Sequence, residues 1–399
     1  KSPFIAKCRD RMRALRMRNG EYDPDILGEI KKMGGSQVYM RIGATKMRGA
    51  QSWLKDIYLN IPRPWTIDPS PLPDLEEEIA PLIEMGIQQL VQAAAAQGAP
   101  APTPRDIDQL RTTLTDKARA EVLQKARDMA ERASTAVDDK LLEGGFYRAL
   151  DDCLTDLTTF KVCVLKGPVI RNVKRARWTA DQATGKRMPQ VVTEPIITFD
   201  RVSPLAYYPA PNAVSTSDGF TIQRHKLFRS DLVDLIGTPG FDTGAIRAVL
   251  ELYGRGGLSN WLSVDSQEAQ ALHGNVYTMS NKNSPTIDAL EYWGSIQGQM
   301  LLDWGMTADA VPDSLLEYPV NVWVIGQFVI KAMMNPDPLA RVPFSVTSLV
   351  KIPGTVWGEG LGEQLRDVTQ VANAAARSLV NNMALASGPM LGVDASRLP

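Results

Sequence analysis

The residues of this chain whose type and spacing could support chemistry are a glycine-rich loop, a glycine–lysine pair, two acid pairs and a few cysteines and histidines. Gly358-Glu359-Gly360-Leu361-Gly362 comes near the Gly-x-Gly-x-x-Gly phosphate loop. Its spacing is wrong, no strand–helix–strand unit surrounds it, and Glu359 and Glu363 would repel a pyrophosphate. Gly185-Lys186 has no glycine five residues earlier and no Ser or Thr after the lysine, so it reads as a hairpin turn and not as a P-loop. Asp138-Asp139 and Asp151-Asp152 lie on helical patterns, where adjacent side chains point about 100° apart and do not converge on a metal or a shared proton. Cys8, Cys153 and Cys163 have no metal-ligand spacing. Cys153 and Cys163 sit among apolar residues and read as buried free thiols of a protein assembled in a reducing cytoplasm. Of the two histidines, His225 alternates with Arg224 and Lys226 on a strand, as an ordinary surface or hinge residue would. The tryptophans are scattered, without the basic–aromatic interleaving of a single-strand-binding platform. No catalytic, cofactor-binding or metal-binding residue is expected, and the chain is not expected to be an enzyme.

The elements that could position functional residues are therefore the next question. With 399 residues the chain can build two or three domain-sized units, and 44% hydrophobic with 22% charged residues fits a folded globular protein. A formal net charge of −1 supplies no overall attraction for nucleic acid. No apolar run is long enough to span a membrane. The chain starts at Lys1 and stops at Pro399 just past a helix, which suggests a portion of a longer polypeptide.

Up to about residue 60 the chain is locally basic, with helices expected at 25–33 and 44–59; Met47, Ala50, Trp53, Leu54 and Ile57 should form the buried face of the second. A proline-rich connector, Ile61 to Pro73, follows. Asp74 should cap a helix that runs into an alanine tract, and a long helix over about 105–142 should return beside it, making an arm over about 74–143. After a helix at 146–157 the periodicity turns strand-like over about 159–335. Strands are expected at 160–171, 173–178, 190–199, 220–228, 287–293, 300–302, 318–325 and 327–333. Ser230 should cap a short helix at 231–236. Helices first, then antiparallel strands, then one long helix is an α+β order with no βαβ alternation.

That last helix is the strongest pattern in the chain. From Leu361 to Ser387 it would be roughly 40 Å long at about 1.5 Å per residue. Leu361, Leu365, Val368, Ala372, Ala375, Leu379 and Met383 recur at spacings of three and four and form an apolar stripe. Glu363, Arg366, Asp367, Gln370, Asn373, Arg377 and Asn381 form a polar one. Gly354, Gly358, Gly360 and Gly362 lead in, and Gly388-Pro389 stops the helix.

The stretch Lys351-Ile352-Pro353-Gly354-Thr355-Val356-Trp357-Gly358-Glu359-Gly360, continuing through Asp367, Gln370, Asn373 and Arg377-Ser378, resembles the segment that opens the stem helix in the portal (head-to-tail connector) proteins of tailed bacteriophages, especially the short-tailed type. Arg48 to Ile57, the proline- and tyrosine-bearing Pro204 to Pro211, and Glu291-Tyr292-Trp293 are similar to other parts of that family. The resemblance implies a structural, non-enzymatic ring of about twelve copies at one capsid vertex. Such a ring serves as the DNA packaging and ejection channel and docks terminase and tail adaptors. The implied partners are further copies of the chain, the major capsid protein and scaffold, the terminase motor, a tail adaptor, and double-stranded DNA that passes without sequence-specific binding. The implied location is the virion, after assembly in the host cytoplasm.

On this mapping residues 1–350 are the wing, 351–387 the stem helix with its glycine lead-in, and 388–399 the start of the clip, with crown and return stem outside the sequence. A DNA channel must not grip phosphates, because each neutralised phosphate adds affinity and friction. The polar stripe, of mixed charge, is therefore expected to be the less buried side and to face the channel. The apolar stripe would pack subunits, the four glycines would form the wing–stem hinge, and Gly388 and Pro389 would open the clip. The competing readings are another oligomeric virion or scaffold-type protein, and less favourably a nucleic-acid-processing enzyme or a lipid-binding protein.

Overall fold

The computed structural model describes residues 3–61, 63, 65–69, 80–81, 84–88, 104–180, 187–254 and 286–388. Several sequence expectations lie outside them: the helix start at Asp74, the Gly185-Lys186 turn and Pro389. The chain divides into two compact units, Ile61–Gly144 and the remainder, Lys1–Asn60 with Gly145–Pro399. In the first of these, residues 80–81 and 84–88 are helical, and one long helix occupies Pro104–Glu143, close to the expected 105–142.

The larger unit begins with three helices, α1 (Pro3–Asn19), α2 (Pro24–Lys32) and α3 (Ile42–Leu59). We number the arm helix Pro104–Glu143 α4; α5 (Phe146–Thr159) then leads into the sheets. A three-stranded sheet has the order β2–β1–β8, from β1 (Cys163–Ala180), β2 (Arg187–Val202) and β8 (Phe344–Thr347). A five-stranded sheet has the order β3–β4–β5–β6–β7. Its strands are β3 (Tyr207–Pro209), β4 (Thr221–Phe228), β5 (Thr286–Gln297), β6 (Glu317–Ile325) and β7 (Phe328–Met334). Every strand pair in both sheets is antiparallel. Short helices α6 (Arg229–Asp234), α7 (Thr243–Gly254) and α8 (Gly298–Asp303) intervene. The chain reaches α9 (Leu361–Gln364) and α10 (Arg366–Ala386) last. With 47% helix and 26% strand this is an α+β protein.

The alternation of side chains along a strand explains where the cores lie. Ile287 and Ala289 of β5 share a face with Ile325 and Ile330, and these bury against Leu232 of α6 and Ile246 and Val249 of α7. Further along the same strand, Trp293 joins Val164, Val202, Tyr207 and Phe344, so the two sheets share one apolar cluster. Val320 and Val322 of β6 pack with Leu301 and Val311. Cys153 and Cys163 are buried free thiols, as their apolar neighbours implied.

Three local expectations are corrected, and one helix was not expected. Residues 300–302 belong to α8, not to a strand; a short apolar run has no periodicity to separate the two. In α3 the buried side is Gly43, Ala44 and Met47, whereas Trp53 is 75% exposed and Ile57 also lies outside. The cap of α6 is the Asp231 carboxylate, which accepts from the Phe228 N–H at 2.8 Å, and not Ser230. Finally, α1 forms in a stretch whose arginines obscure any apolar stripe. Arg11 is buried there, donating to the Pro204 carbonyl at 2.5 Å with its guanidinium 4.3 Å from the Trp357 ring centre.

Candidate functional site: the last helix and its glycine lead-in

The lead-in is held by close packing. Val350 and Glu359 exchange backbone hydrogen bonds at 3.3 and 2.8 Å, which pins the loop between them. Trp357 packs edge-on to Tyr207, 6.2 Å between centroids, at the cluster shared by the two sheets. A Cβ on Gly358 would run into the Ser348 side chain and the Val350 carbonyl, and one on Gly360 into the Phe160 carbonyl. A Cβ on Gly362 would lie 2.7 Å from Met47 Cε and 3.1 Å from the Thr159 carbonyl. Gly360 and Gly362 let the lead-in approach the end of α5, and Gly358 lets it approach Ser348 and the Val350 carbonyl. They are close-packed glycines, each with a neighbouring chain segment where a side chain would stand. Gly354, with φ +78°, has open space around it.

The helix expected over 361–387 is present with one irregularity. Leu365 stands between α9 and α10 with φ −86° and ψ −4°, and Thr369 N still donates to the Leu365 carbonyl at 3.0 Å.

The polar stripe is not the less buried side. Asn373 is 2% exposed, and its Oδ1 accepts from the Met40 N–H at 2.6 Å. One turn on, Arg377 donates to the Tyr22 hydroxyl at 2.7 Å and lies 5.1 Å above that ring. One turn further, Asn381 Oδ1 accepts from the Ser36 N–H at 2.9 Å. Residues 373, 377 and 381 thus clasp the segment between α1 and α3. The part of that segment after α2, residues 35–40, has no regular secondary structure, so N–H groups there take acceptors from the helix. Tyr22 also donates to the Val38 carbonyl at 2.6 Å and meets Tyr39 edge-on at 4.8 Å. Burial, and next the neighbouring Tyr22, push the Tyr39 phenol above its ordinary value, so it stays neutral. A cavity of about 300 Å³ remains between α1, α2 and α10, bordered by Arg13, Tyr22, Tyr39, Arg366 and Arg377. At the start of the stripe Glu363 is paired with Lys161 at 2.8 Å and with Arg366 at 3.3 Å. Asp367 and Gln370 are the stripe residues that stay exposed without a partner from the segment before α3.

The apolar stripe has the opposite fate. Val368, Leu379 and Met383 are 61%, 62% and 63% exposed, and Val371 and Leu385 are equally open. Leu361, Leu365 and Ala372 are half-buried and Ala375 is exposed. From Ser378 to Gly388 every residue is exposed, Gly388 of the expected clip among them.

A second polar constellation lies in the interior, where β1 faces the middle of the five-stranded sheet. Glu291 is buried, and its Oε2 takes the Lys166 ammonium and His225 Nε2, the latter at 2.6 Å. Its Oε1 accepts from Trp293 Nε1 at 2.7 Å and Asn321 Nδ2 at 3.2 Å. Burial alone would raise this carboxyl; the Lys166 charge and the His225 hydrogen bond outweigh it and hold the group far below the carboxylate range. His225 is therefore no surface residue: its ring stacks on Trp323 at 4.5 Å. The arrangement satisfies a buried carboxylate on both oxygens and ties the two sheets together. Among the described residues no group of three or more His, Cys, Asp and Glu is placed to hold a metal ion, and no helix is long and apolar enough to cross a membrane.

Sequence reasoning missed the partners of the polar stripe, Tyr22, Ser36 and Met40, because two of the three contribute only backbone N–H groups. It also missed the pairing of Lys166 with Glu291, which no local pattern encodes. No protein-family model matches the chain, and no curated protein matches it either.

Proposed function

We propose that this chain is a subunit of a ring-shaped conduit of the portal type, whose last helix lines and closes the ring. The observation that carries this reading is the division of labour on α10. Its polar face is tied down by the chain's own segment between α1 and α3, while Val368, Val371, Leu379, Met383 and the last turns stay exposed among the described residues. A long helix with an apolar stripe left open needs a second surface to cover it. Copies of the same helix related by a rotation axis supply one in a closed ring. The bolted glycine lead-in supports the same reading, since it fixes the direction in which the helix leaves the sheets.

With Asn373, Arg377 and Asn381 engaged inside the subunit, the groups available to face DNA reduce to Asp367 and Gln370. An anionic and a neutral side chain repel or slide past phosphates and do not hold them. In this role the protein works as a non-enzymatic scaffold for capsid, motor and tail proteins in a virion.

The test is imaging. Purified full-length protein, examined by negative stain or mass photometry, should give closed rings of about a dozen copies with a central hole. A monodisperse monomer, or an open filament, refutes the reading. The second reading, another oligomeric structural protein, rests on the same open stripe and would show a closed assembly without a channel.

A further inference from the structure

Two of the chain's three cysteines, Cys153 on α5 and Cys163 at the start of β1, meet in the interior from ten positions apart in sequence. Both are free thiols, 3% and 6% exposed. The Cys153 Sγ lies 3.6 Å from the carbonyl oxygen of Val164, the residue after Cys163, and the two thiols share a hydrogen bond. Sulfurs in that contact need only a small approach to reach the disulfide distance of about 2.0 Å. The shared hydrogen bond, and then burial, pushes the Cys153 thiol above its ordinary value, and the same bond pulls the Cys163 thiol down. The two are therefore unequal. Cys163 gives up its proton first, and Cys153 stands beside it, able to resolve what forms there.

The place of the pair in the fold gives it leverage. Cys163 is opposite Thr347 of β8 in the three-stranded sheet, and Ser348, the next residue, is one of the groups against which Gly358 packs. On the other side, α5 ends at Thr159, whose carbonyl packs against Gly362, and the Phe160 carbonyl after it packs against Gly360. A covalent bond from α5 to β1 would tie together the two segments on which the glycine lead-in of α10 rests.

We propose that Cys153 and Cys163 are a redox-sensitive pair, closed to a disulfide by a hydroperoxide, that braces the seat of the α10 lead-in. With hydrogen peroxide, the Cys163 thiolate attacks one oxygen and the O–O bond breaks. Cys163 becomes a sulfenic acid, and the departing hydroxide takes up the proton that Cys163 released, as water. The Cys153 sulfur then attacks the Cys163 sulfur, the S–O bond breaks, and the second hydroxide leaves with the Cys153 proton as water. Two thiols are oxidised by two electrons in all, and one peroxide is reduced to two waters. A reducing cytoplasm keeps the pair open. Closure on leaving it in a virion rests on the role proposed above; the chemistry does not. The full chain, treated with hydrogen peroxide and then alkylated in denaturant, should yield one cross-linked peptide pair, Cys153 with Cys163, and dithiothreitol should restore both thiols. Cys153→Ser should stop the reaction at a sulfenic acid on Cys163, trapped with dimedone. In the oxidised wild type, amide exchange through residues 358–362 should slow about threefold or more. None of these readouts depends on ring formation. Should Cys153→Ser fail to fold, the peptide map and the exchange of the wild type decide. Both thiols still open to alkylation after peroxide, a disulfide that runs to Cys8, no sulfenic acid on Cys163 in folded Cys153→Ser, or exchange at 358–362 unchanged by closure overturns the proposal.

Discussion

Placing aspartate at Leu379 and Met383 should dissolve the proposed ring while leaving the subunit intact. Full burial of a Val, Leu or Met side chain is worth about 1.5–3 kcal/mol. Val368, Val371, Leu379, Met383 and Leu385 are each some two-thirds exposed, so about 1–2 kcal/mol per residue remains to be gained in an assembly. The five together offer roughly 5–10 kcal/mol, against an association cost of about 4–15 kcal/mol. The stripe therefore sits near break-even and needs all its members. Losing two takes away about 2–4 kcal/mol and adds carboxylates that an interface would have to desolvate, so affinity between copies should fall by more than about a hundredfold. Both side chains are about two-thirds exposed, so the isolated subunit should lose only the helix propensity and dipole terms of the two aspartates, about 1–2 kcal/mol or a few degrees in Tm. Mass photometry across a concentration series, with calorimetry on the same samples, reads both numbers. Rings that persist at wild-type concentrations would refute the packing role of the stripe, and a collapsed Tm would show that these residues are part of the subunit's own core.

Other perturbations address the remaining features. Gly360→Ala should cost about 1–3 kcal/mol in denaturant unfolding because its Cβ meets the Phe160 carbonyl, whereas Gly49→Ala in α3, with open space around it, should be neutral or stabilising; equal effects would remove the packing argument. Asn373→Ala leaves the Met40 N–H without its acceptor, at a cost of about 1–3 kcal/mol. Amide exchange at Met40 should then accelerate about tenfold or more, and unchanged protection would count against the clasp. Asp156 is pushed up to about 6 by burial, in spite of its pairing with Arg201. The folded state therefore holds a proton that the unfolded chain has released, and this contribution, full below the ordinary 3.8, is lost as pH rises through 6. Unfolding free energies of wild type and Asp156→Asn should diverge by up to about 3 kcal/mol between pH 4 and 7, and parallel curves would contradict the shift. Asp367→Lys should slow DNA packaging in a reconstituted system without changing ring yield, and unchanged packaging would sink the channel assignment. Glu363 is unsuited to that test because it is already paired inside the subunit, with Lys161 and Arg366.

What could be read from the residues was whatever the chain encodes locally. The strands at β1, β2, β4 and β5 and the length of α4 follow from periodicity and from the glycines and prolines that interrupt it. The open apolar stripe of α10 was legible for the same reason. The polar stripe was not, because a polar side chain reads as solvent-facing unless its partner is known. Here the partners of Asn373 and Asn381 are backbone N–H groups of an irregular segment, and every residue type carries one of those. His225 and Glu291 show the same limit. Their neighbours are set by which strands pair, and Lys166 arrives from a different sheet. In α1 the misleading signal was composition, since an arginine such as Arg11 can be buried when its long stem packs and its head finds a carbonyl and an indole.

The clasp on α10 also sets a clock on synthesis. Its three hydrogen bonds join residues 333, 345 and 355 positions apart. At about 5–20 residues per second, the segment holding Tyr22, Ser36 and Met40 leaves the ribosome some 20–70 s before the helix that completes it. Until then its N–H groups are served by water and the groove that will seat the helix is open. Contacts of such high sequence separation form late and slowly, so the subunit reaches its final shape only after the helix has been made. A nascent or truncated chain would then present neither the clasped helix nor the stripe it aims outward, and ring growth would be confined to finished subunits.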